Sequence, residues 1–170
     1  MRYIDFDGVI LDTEELLFHE WRKNPNHHFL PDEDKVIYIK NSDWREIINN
    51  SPVINDSIYK LKNMDVNKSA ILTKIHSLEE GYEKVFYLRN NSVKQNVILV
   101  PYPANKTQVV RPNFNDILID DSIINLDEWY LMGGYPMFFD RNNDNVDSWG
   151  IVNNNSYQRV RRIDDSIKKL

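Results

Sequence analysis

Carboxylate, hydroxyl and amine side chains lie at or just after the ends of four apolar runs in this chain of 170 residues. In chain order they are Asp5 and Asp7, Thr73 and Lys74, Lys106, and Asp120 and Asp121. Four carboxylates gathered at one place would repel one another and raise one another's pKa values. Mg²⁺ relieves that repulsion, because it takes oxygen ligands from one or two carboxylates, water and a substrate phosphate. The set therefore predicts a magnesium site.

Each of these residues also has an ordinary structural explanation when it is taken alone. An Asp-x-Asp sequence at the end of a strand is usually a turn or a helix cap. Asp120 and Asp121 stand before Ser122, where they could cap the following helix. Thr73 is a common strand residue and a lone loop lysine is usually solvated. The signal is their order at the ends of successive apolar runs.

Five short apolar runs predict the strands that would position these side chains. They are Arg2–Phe6, Ser69–Thr73, Asn96–Val100, Asp116–Ile119 and Pro136–Phe139. Nearly continuous apolar runs of this length are typical of parallel strands that are buried on both faces. Helical spacing separates them, and strands alternating with helices predict an α/β fold with a doubly wound, mainly parallel five-stranded sheet. In such sheets ligands bind at the carboxyl ends of the strands.

Three helices are predicted after the second apolar run. Ser77, with Glu80 three residues later, forms a capping box at the start of one helix. A second helix covers Ile123–Leu131 and ends at two glycines. The amphipathic segment Tyr157–Leu170 predicts a third helix, with lysines near its carboxyl end.

About sixty residues separate the first two predicted strands, far more than a βα connection needs. We therefore predict a core domain from residues 1–12 and 65–170, and a small helical cap inserted at residues 13–64. Helices are expected at Glu14–Lys23, Trp44–Asn49 and Ser57–Met64, with a loop at Asn24–Asp34. The pair His27-His28 in that loop does not predict a zinc site, because adjacent side chains point apart and the chain has no cysteine.

The segment Tyr3–Thr13, with the sequence YIDFDGVILDT, resembles the first motif of the haloacid dehalogenase (HAD) superfamily, whose members are mostly phosphatases. Ile71–Thr73 is similar to the second motif, an apolar strand ending in Thr or Ser. Lys106 stands where the third-motif lysine is expected, and Ile117–Asp121 resembles the fourth motif. The resemblance extends over residues 1–139 outside the insertion.

The resemblance implies a hydrolase that acts on phosphate monoesters. Asp5 would be the nucleophile that forms an aspartyl-phosphate. Asp7 would protonate the leaving alcohol and then activate water, and Gly8 would permit the bend that brings both acids to the phosphate. The candidate phosphate-binding residues are Thr73, Lys74 and Lys106. Lys84 and Lys94 are rivals for the third-motif lysine, but Lys106 follows the third strand and precedes Thr107.

The resemblance also implies how Mg²⁺ would be held. Its ligands would be a carboxylate oxygen of Asp5, the backbone carbonyl of Asp7, and Asp121. Asp120 would lie behind the metal and orient water or Lys106. The alternative, in which Asp120 is the direct ligand, stays open at this point.

The pair Lys106-Thr107 ahead of the Asp116–Asp121 strand is similar to the 5'(3')-deoxyribonucleotidase branch of the superfamily. This similarity implies a small phosphorylated metabolite as substrate, such as a (deoxy)nucleoside monophosphate, with sugar phosphates or other metabolite phosphates as the alternative. Aromatic residues of the cap would then contact the base. The candidates are Phe18, Trp21 and Trp44, and the alternative is that two of these three form the core of the cap.

Composition limits the other classes of function. The formal net charge of −5 argues against binding to a nucleic-acid polymer, which needs a basic surface. No apolar run approaches the length of a membrane span, and cytoplasmic location is the expectation. The sequence does not indicate an oligomeric state.

Two other classes of protein share some of these residues. A phospho-acceptor signalling domain carries its acidic pair on the first strand, whereas here the pair follows the fourth strand, and it has no counterpart of Asp7. The other alternative is a catalytically silent HAD-like binding protein. Against it stands the complete set of candidate residues Asp5, Asp7, Thr73, Lys106 and Asp121.

Overall fold

The computed structural model describes residues 1–23, 32–147, 151–155 and 157–165. The described residues form one six-stranded sheet in the order β3-β2-β1-β4-β5-β6, and every adjacent pair is parallel. The strands are β1 Arg2–Ile4, β2 Ser69–Ile75, β3 Asn96–Pro101, β4 Ile117–Asp120, β5 Tyr135–Phe139 and β6 Gln158–Val160. The predicted parallel α/β fold is confirmed, with one strand more than expected.

Helices cover both faces of the sheet, as its apolar sequence requires. Successive strand residues point to opposite faces. In β2, Ile71 therefore joins one apolar cluster, whereas Leu72 joins the other. The second cluster also contains Trp129, which lies on the helix between β4 and β5. A sheet buried on both faces explains why the strand sequences are apolar without alternation.

Seven helices are described. They are α1 Thr13–Lys23, α2 Asp32–Asn41, α3 Trp44–Asn50, α4 Ser57–Asn63, α5 Leu78–Asn90, α6 Lys106–Val109 and α7 Ile123–Leu131. The hydroxyl of Ser77 accepts a hydrogen bond from the backbone N–H of Glu80 at 3.1 Å, which is the predicted cap of α5. None of the described helices combines the length and apolar character that a membrane span needs.

Helices α1 to α4 occupy the long connection between β1 and β2. Helix α2 begins at Asp32, inside the segment for which a loop is predicted, while residues 24–31 of that segment lie outside the described part. Trp44, Ile48 and Leu61 belong to the same apolar cluster as Ile4 of β1. In the described residues the inserted helices thus share a core with the sheet.

The prediction of a helix at Tyr157–Leu170 is wrong for its described part. Residues Gln158–Val160 form β6, and turns follow it, while residues 166–170 lie outside the description. The edge of β5 offers unpaired backbone groups, and β6 pairs with them through Phe139 and Val160. The Arg159 side chain also donates to Asp140 at 2.6 Å. Only Val160 of its three residues is apolar, so no apolar run marks this strand in the sequence.

Candidate active site at the carboxyl edge of the sheet

The turn after β1 presents Asp5 and Asp7 at the carboxyl edge. The backbone N–H of Asp5 still donates to Ile119 on β4 at 3.0 Å, and the chain then folds back, with Ile10 N–H donating to the Phe6 carbonyl at 2.9 Å. Gly8 lies in the turn with φ +70°. A Cβ at Gly8 would stand 2.0 Å from Oδ2 of Asp121. Glycine therefore satisfies both the backbone conformation and the close approach of the Asp121 carboxylate.

Lys106 links the first and fourth strand ends. Its side chain is 1% exposed, and its Nζ lies 2.8 Å from Asp5 Oδ1 and 2.6 Å from Asp120 Oδ2. Burial alone would lower the pKa of Lys106, but the Asp120 and Asp5 carboxylates outweigh burial, and the net pKa is raised. Lys106 is therefore a fixed positive charge beside the candidate nucleophile.

Asp120 and Asp121 have different surroundings. Asp120 is fully buried, and besides Lys106 it accepts from Ser122 N–H at 2.9 Å and from the Asn125 amide at 3.1 and 3.2 Å. Asp121 is partly exposed, and its carboxylate lies against Gly8. The hydrogen bonds of Asp120 leave it little capacity to bind a metal, so its surroundings favour Asp121 as the direct ligand.

Carboxylate oxygens of Asp5, Asp120 and Asp121 all lie within 4.8 Å of one another. The pKa of Asp5 is raised to about 7, mainly by burial. The positive charge of Lys106 opposes this rise, and the negative charges of Asp120 and Asp7 add to it. Burial also raises the pKa of Asp121 well above its usual range, and Glu14, Asp120 and Asp5 contribute. Three acids thus face one buried lysine, an excess of negative charge that a divalent cation with oxygen ligands would compensate.

The carboxylate of Asp7 is held apart from this cluster. Its Oδ1 accepts from the Thr13 hydroxyl at 2.7 Å, and its Oδ2 accepts from Lys84 Nζ at 2.5 Å. Its side chain remains 25% exposed. The predicted bend therefore gives the two acids different partners, one paired with Lys106 and the other with Lys84.

Thr73 and Lys74, near the carboxyl end of β2, are adjacent in the strand, so their side chains point to opposite faces of the sheet. Thr73 is fully buried, and its hydroxyl lies 3.4 Å from Asp7 Oδ2 and 3.2 Å from Lys84 Nζ. The Lys74 ammonium instead acts on Glu128 of α7. Burial raises the pKa of Glu128, and the positive charge of Lys74 partly offsets that rise. Of the two, Thr73 is the one that contacts the candidate acids.

Comparison with solved structures identifies the fold. A HAD-superfamily hydrolase from Ehrlichia chaffeensis matches 95% of this chain and 91% of its own, with a TM-score of 0.55 and 12% sequence identity. A crystal structure described as a dehalogenase matches 95% of this chain and 92% of its own, with a TM-score of 0.56 and 11% identity. The chain has the HAD-hydrolase fold. No family model and no curated protein matches the sequence.

Within this HAD-type fold the aromatic residues of the cap differ in accessibility. Trp44 is 2% exposed and donates its indole N–H to the Ile39 carbonyl at 3.0 Å. Phe18 is 7% exposed and belongs to the same apolar cluster. Trp21 is half-buried and packs against Tyr38 with ring centroids 5.0 Å apart. Trp44 and Phe18 are core residues, which favours the alternative that two of the three aromatic candidates form the core of the inserted segment.

Sequence reasoning missed the roles of two residues near Asp7. It considered Lys84 only as a rival of Lys106, and it treated Glu80 only as part of a capping box. Glu80 and Lys84 are four residues apart on α5, and such pairs lie on one face of a helix. This spacing was the available signal, but the sequence does not show that the face is buried. The other rival, Lys94, is exposed.

Proposed function

We propose that this protein is a magnesium-dependent phosphomonoester hydrolase that acts on a small phosphorylated metabolite through an aspartyl-phosphate at Asp5. The observation that supports the proposal most is the grouping of the Asp5, Asp120 and Asp121 carboxylates, of which Asp5 and Asp120 contact the buried ammonium of Lys106. A second carboxylate, Asp7, lies in the same turn with a partly exposed side chain. Nucleophile, fixed cation and proton carrier are thus separate groups at one sheet edge.

In the proposed reaction an Asp5 oxygen attacks phosphorus, and the bond from phosphorus to the alcohol oxygen breaks. Asp7 gives its proton to that oxygen, so the leaving group departs as an alcohol. Asp7 then takes a proton from water as the water attacks the aspartyl-phosphate, which releases inorganic phosphate and restores Asp5. Lys106 offsets the negative charge of the phosphoryl group, and the Thr73 hydroxyl donates to one of its oxygens.

The residues present fit a Mg²⁺ ion. Asp5 and Asp121 would supply carboxylate oxygens and Asp7 its backbone carbonyl, while Asp120 would orient Lys106. When bound, the ion would supply positive charge against the phosphoryl oxygens. The raised pKa values of Asp5 and Asp121 express the charge excess that such an ion would relieve.

Dehalogenation is the competing reaction, since one of the similar structures is described as a dehalogenase. A halide departs as a stable anion and needs no proton, so a proton carrier such as Asp7 gives that reaction no advantage. A phosphate ester with an alcohol leaving group does need the proton. The arrangement of Asp7 therefore favours phosphate esters.

The class of phosphate ester is a finer proposal. The Lys106-Thr107 pair supports (deoxy)nucleoside monophosphates, with sugar phosphates and other metabolite phosphates as the alternative. Burial of Trp44 and Phe18 removes two of the three aromatic candidates for base contact. Trp21 is the candidate that keeps an exposed fraction.

The test is a panel of nucleoside monophosphates, sugar phosphates, 4-nitrophenyl phosphate and a 2-haloacid, assayed with Mg²⁺ and with excess EDTA. We expect phosphate release that requires Mg²⁺. Asp5→Asn should abolish turnover and the phospho-enzyme, whereas Asp7→Asn should still form an aspartyl-phosphate from 4-nitrophenyl phosphate and hydrolyse it slowly. The exposed Asp65→Asn is the matched control and should keep wild-type rates. Full activity in EDTA, or activity only on the 2-haloacid, would contradict the proposal.

A further inference from the structure

We infer that Lys84 is a positioning residue that holds the Asp7 carboxylate in place for proton transfer, with Glu80 as its permanent counter-charge. The inference rests on the proposed function for the role of Asp7 in the reaction. The contact itself rests on geometry alone. Lys84 has no exposed surface, and its Nζ lies 2.5 Å from Asp7 Oδ2.

Oxygen acceptors surround the Lys84 ammonium. Besides Asp7, three further acceptors lie within hydrogen-bond distance of its Nζ: Glu80 Oε1 at 2.7 Å, the Lys74 carbonyl at 2.9 Å and the Thr73 hydroxyl at 3.2 Å. An ammonium has three donor hydrogens, so acceptors on three different elements fix its position. The acceptors come from the turn after β1, from the end of β2 and from α5 itself. Lys84 therefore ties Asp7 to the body of the sheet.

Aromatic rings close the space around the Lys84 ammonium. Its Nζ lies 5.2 Å from the ring centroid of Trp44 and 5.5 Å from that of Phe6. Both distances are within the range of cation–π attraction. Since Trp44 lies on α3, the inserted helices contribute directly to the surroundings of Lys84. This contact gives Trp44 a role behind the acid instead of against a substrate.

The Asp7 carboxylate is held at both oxygens. Thr13 donates to Oδ1 and Lys84 to Oδ2, so rotation of the carboxyl group would break one of two short hydrogen bonds. The side chain nevertheless keeps 25% of its surface exposed. One edge of the carboxyl group is therefore fixed by the protein, and the exposed part is left for a leaving group or water. A proton carrier needs this placement, because proton transfer requires hydrogen-bond reach in the productive pose.

Glu80 explains how a buried lysine can stand beside a proton carrier. It is 1% exposed and also accepts from the backbone N–H of His76 at 2.6 Å. Lys84 therefore remains paired with a carboxylate when Asp7 carries the proton that it gives up in the proposed reaction. A lysine whose sole counter-charge was Asp7 would be left buried and unpaired at that stage, which is strongly unfavourable.

The test uses Lys84→Met together with Glu80→Gln, because Lys84→Met alone would strand a buried carboxylate. In stopped-flow assays of the double variant with 4-nitrophenyl phosphate, we expect a burst of nitrophenol near the wild-type rate and a steady-state rate reduced about tenfold or more. With the phosphate of a simple alkyl alcohol, which needs the proton to leave, both phases should fall by about a hundredfold, a fraction of the general acid–base contribution. The exposed Lys94→Met is the control and should retain both phases.

Combination with Asp7→Asn separates positioning from general damage. If Lys84 acts through Asp7, the double variant costs no further activity in an Asp7→Asn background. Losses that multiply in that background, or equal losses on both leaving groups, would overturn the inference.

A readout without turnover tests the Lys84–Asp7 contact independently of the proposed function. In urea unfolding of the wild type, Asp7→Asn, the double variant and their combination, the effects of Asp7→Asn and of the double variant should be non-additive, because the two sites share a contact. Additive unfolding effects would overturn the inference even in an active phosphatase. Non-additive effects in a protein that hydrolyses no phosphate ester would contradict the proposed function and leave the Lys84–Asp7 contact standing.

Discussion

Asp120 and Asp121 are neighbours in sequence, yet the protein treats their carboxylates differently. Asp120 is engaged by Lys106, Ser122 and Asn125 and has no exposed surface. Asp121 is partly exposed, and burial together with neighbouring acids raises its pKa. The first has the features of a structural anchor, and the second has those of a ligand that a cation would stabilise. Substitution can separate the two roles.

We expect Asp120→Asn to destabilise the fold, because it leaves the buried Lys106 with one carboxylate fewer. The loss in free energy of unfolding should be about 3 kcal/mol, the size expected when one partner of a buried ion pair is removed. Asp121→Asn should leave stability in EDTA unchanged or higher, since it removes a charge that its neighbours repel. It should instead raise the Mg²⁺ concentration for half-maximal activity about tenfold or more. Urea unfolding and Mg²⁺ titration check the two expectations, and the reverse pattern would assign the metal to Asp120.

At the residue scale the sequence was informative where position along the chain determines position in space. Asp5 directly follows β1, and Thr73 and Asp120 lie near the carboxyl ends of β2 and β4, so the parallel sheet brings all three to the same edge. Lys84 has no such marker, because it is a lysine within a helix, and lysines on helices are usually solvated. Its importance depends on which face of α5 meets the sheet, a property of tertiary packing. The three-dimensional structure was needed to find it.

At the scale of elements, helix α3 carries Trp44, one of the aromatic candidates for which the sequence left contact with a base and a place in the core both open. Trp44 begins α3, immediately after Asp43, which caps the helix by accepting from Glu46 N–H at 2.9 Å. That position turns its ring into the shared core and over Lys84. Trp21, on α1, stays half-buried against Tyr38. We therefore expect substitutions of the two tryptophans to affect stability and substrate binding differently.

Trp44→Ala should lower the free energy of unfolding by about 3–5 kcal/mol, because it empties a large volume of the core. Trp21→Ala should cost less stability. If a nucleobase stacks on Trp21, this variant should raise KM for a nucleoside monophosphate about tenfold and leave 4-nitrophenyl phosphate hydrolysis unchanged, since base stacking contributes about 1–3 kcal/mol. Unfolding curves and KM for both substrates are the measurements. Equal losses of the folded Trp21 variant on both substrates would place base binding elsewhere.

The elements that were predicted correctly are those marked in the sequence by an apolar run, a helix cap or a terminating glycine. The five longer apolar runs became strands, and the Ser77 cap and the segment before Gly133 marked α5 and α7 correctly. Helix α2 was missed because Asp32 to Lys35 lie in a polar stretch close to two prolines, which favours a loop. Strand β6 was read as helix because its three residues are held by pairing to β5, a contact remote in sequence. Local pattern thus failed where a distant partner determines the structure.

At the scale of the whole molecule, the protein carries a net negative charge and also gathers several carboxylates at one site. The formal net charge is −5, and three carboxylates meet around Lys106 at the sheet edge. Folding brings these carboxylates together, whereas unfolding separates them and exposes them to water. The fold therefore bears an electrostatic cost at its site whenever the acids are ionised and no cation is bound. That cost makes global stability sensitive to pH and to Mg²⁺.

The sign of the pH dependence follows from Asp5, whose pKa is raised to about 7 in the folded protein, mainly by burial, from an ordinary value near 4. The contribution of a group with a raised pKa is present below its ordinary value and is lost as pH rises through the folded value. Glu80 has a lowered pKa, because Lys84 and His76 outweigh the effect of burial, so its contribution is lost only as pH falls below the ordinary range. In EDTA we therefore expect the free energy of unfolding to fall between pH 5 and pH 8. The fall should be shallower in Asp5→Asn and the same as in the wild type in Asp65→Asn.

Saturating Mg²⁺ should restore stability most at the higher pH, because the ion binds ionised carboxylates. A Mg²⁺ concentration of about 100 times Kd adds about 2.7 kcal/mol to the free energy of unfolding. Urea unfolding at each pH with EDTA or Mg²⁺ measures these differences. A stability that rises with pH in EDTA, or a Mg²⁺ effect that Asp5→Asn leaves unchanged, would contradict the assignment of Asp5 to the metal.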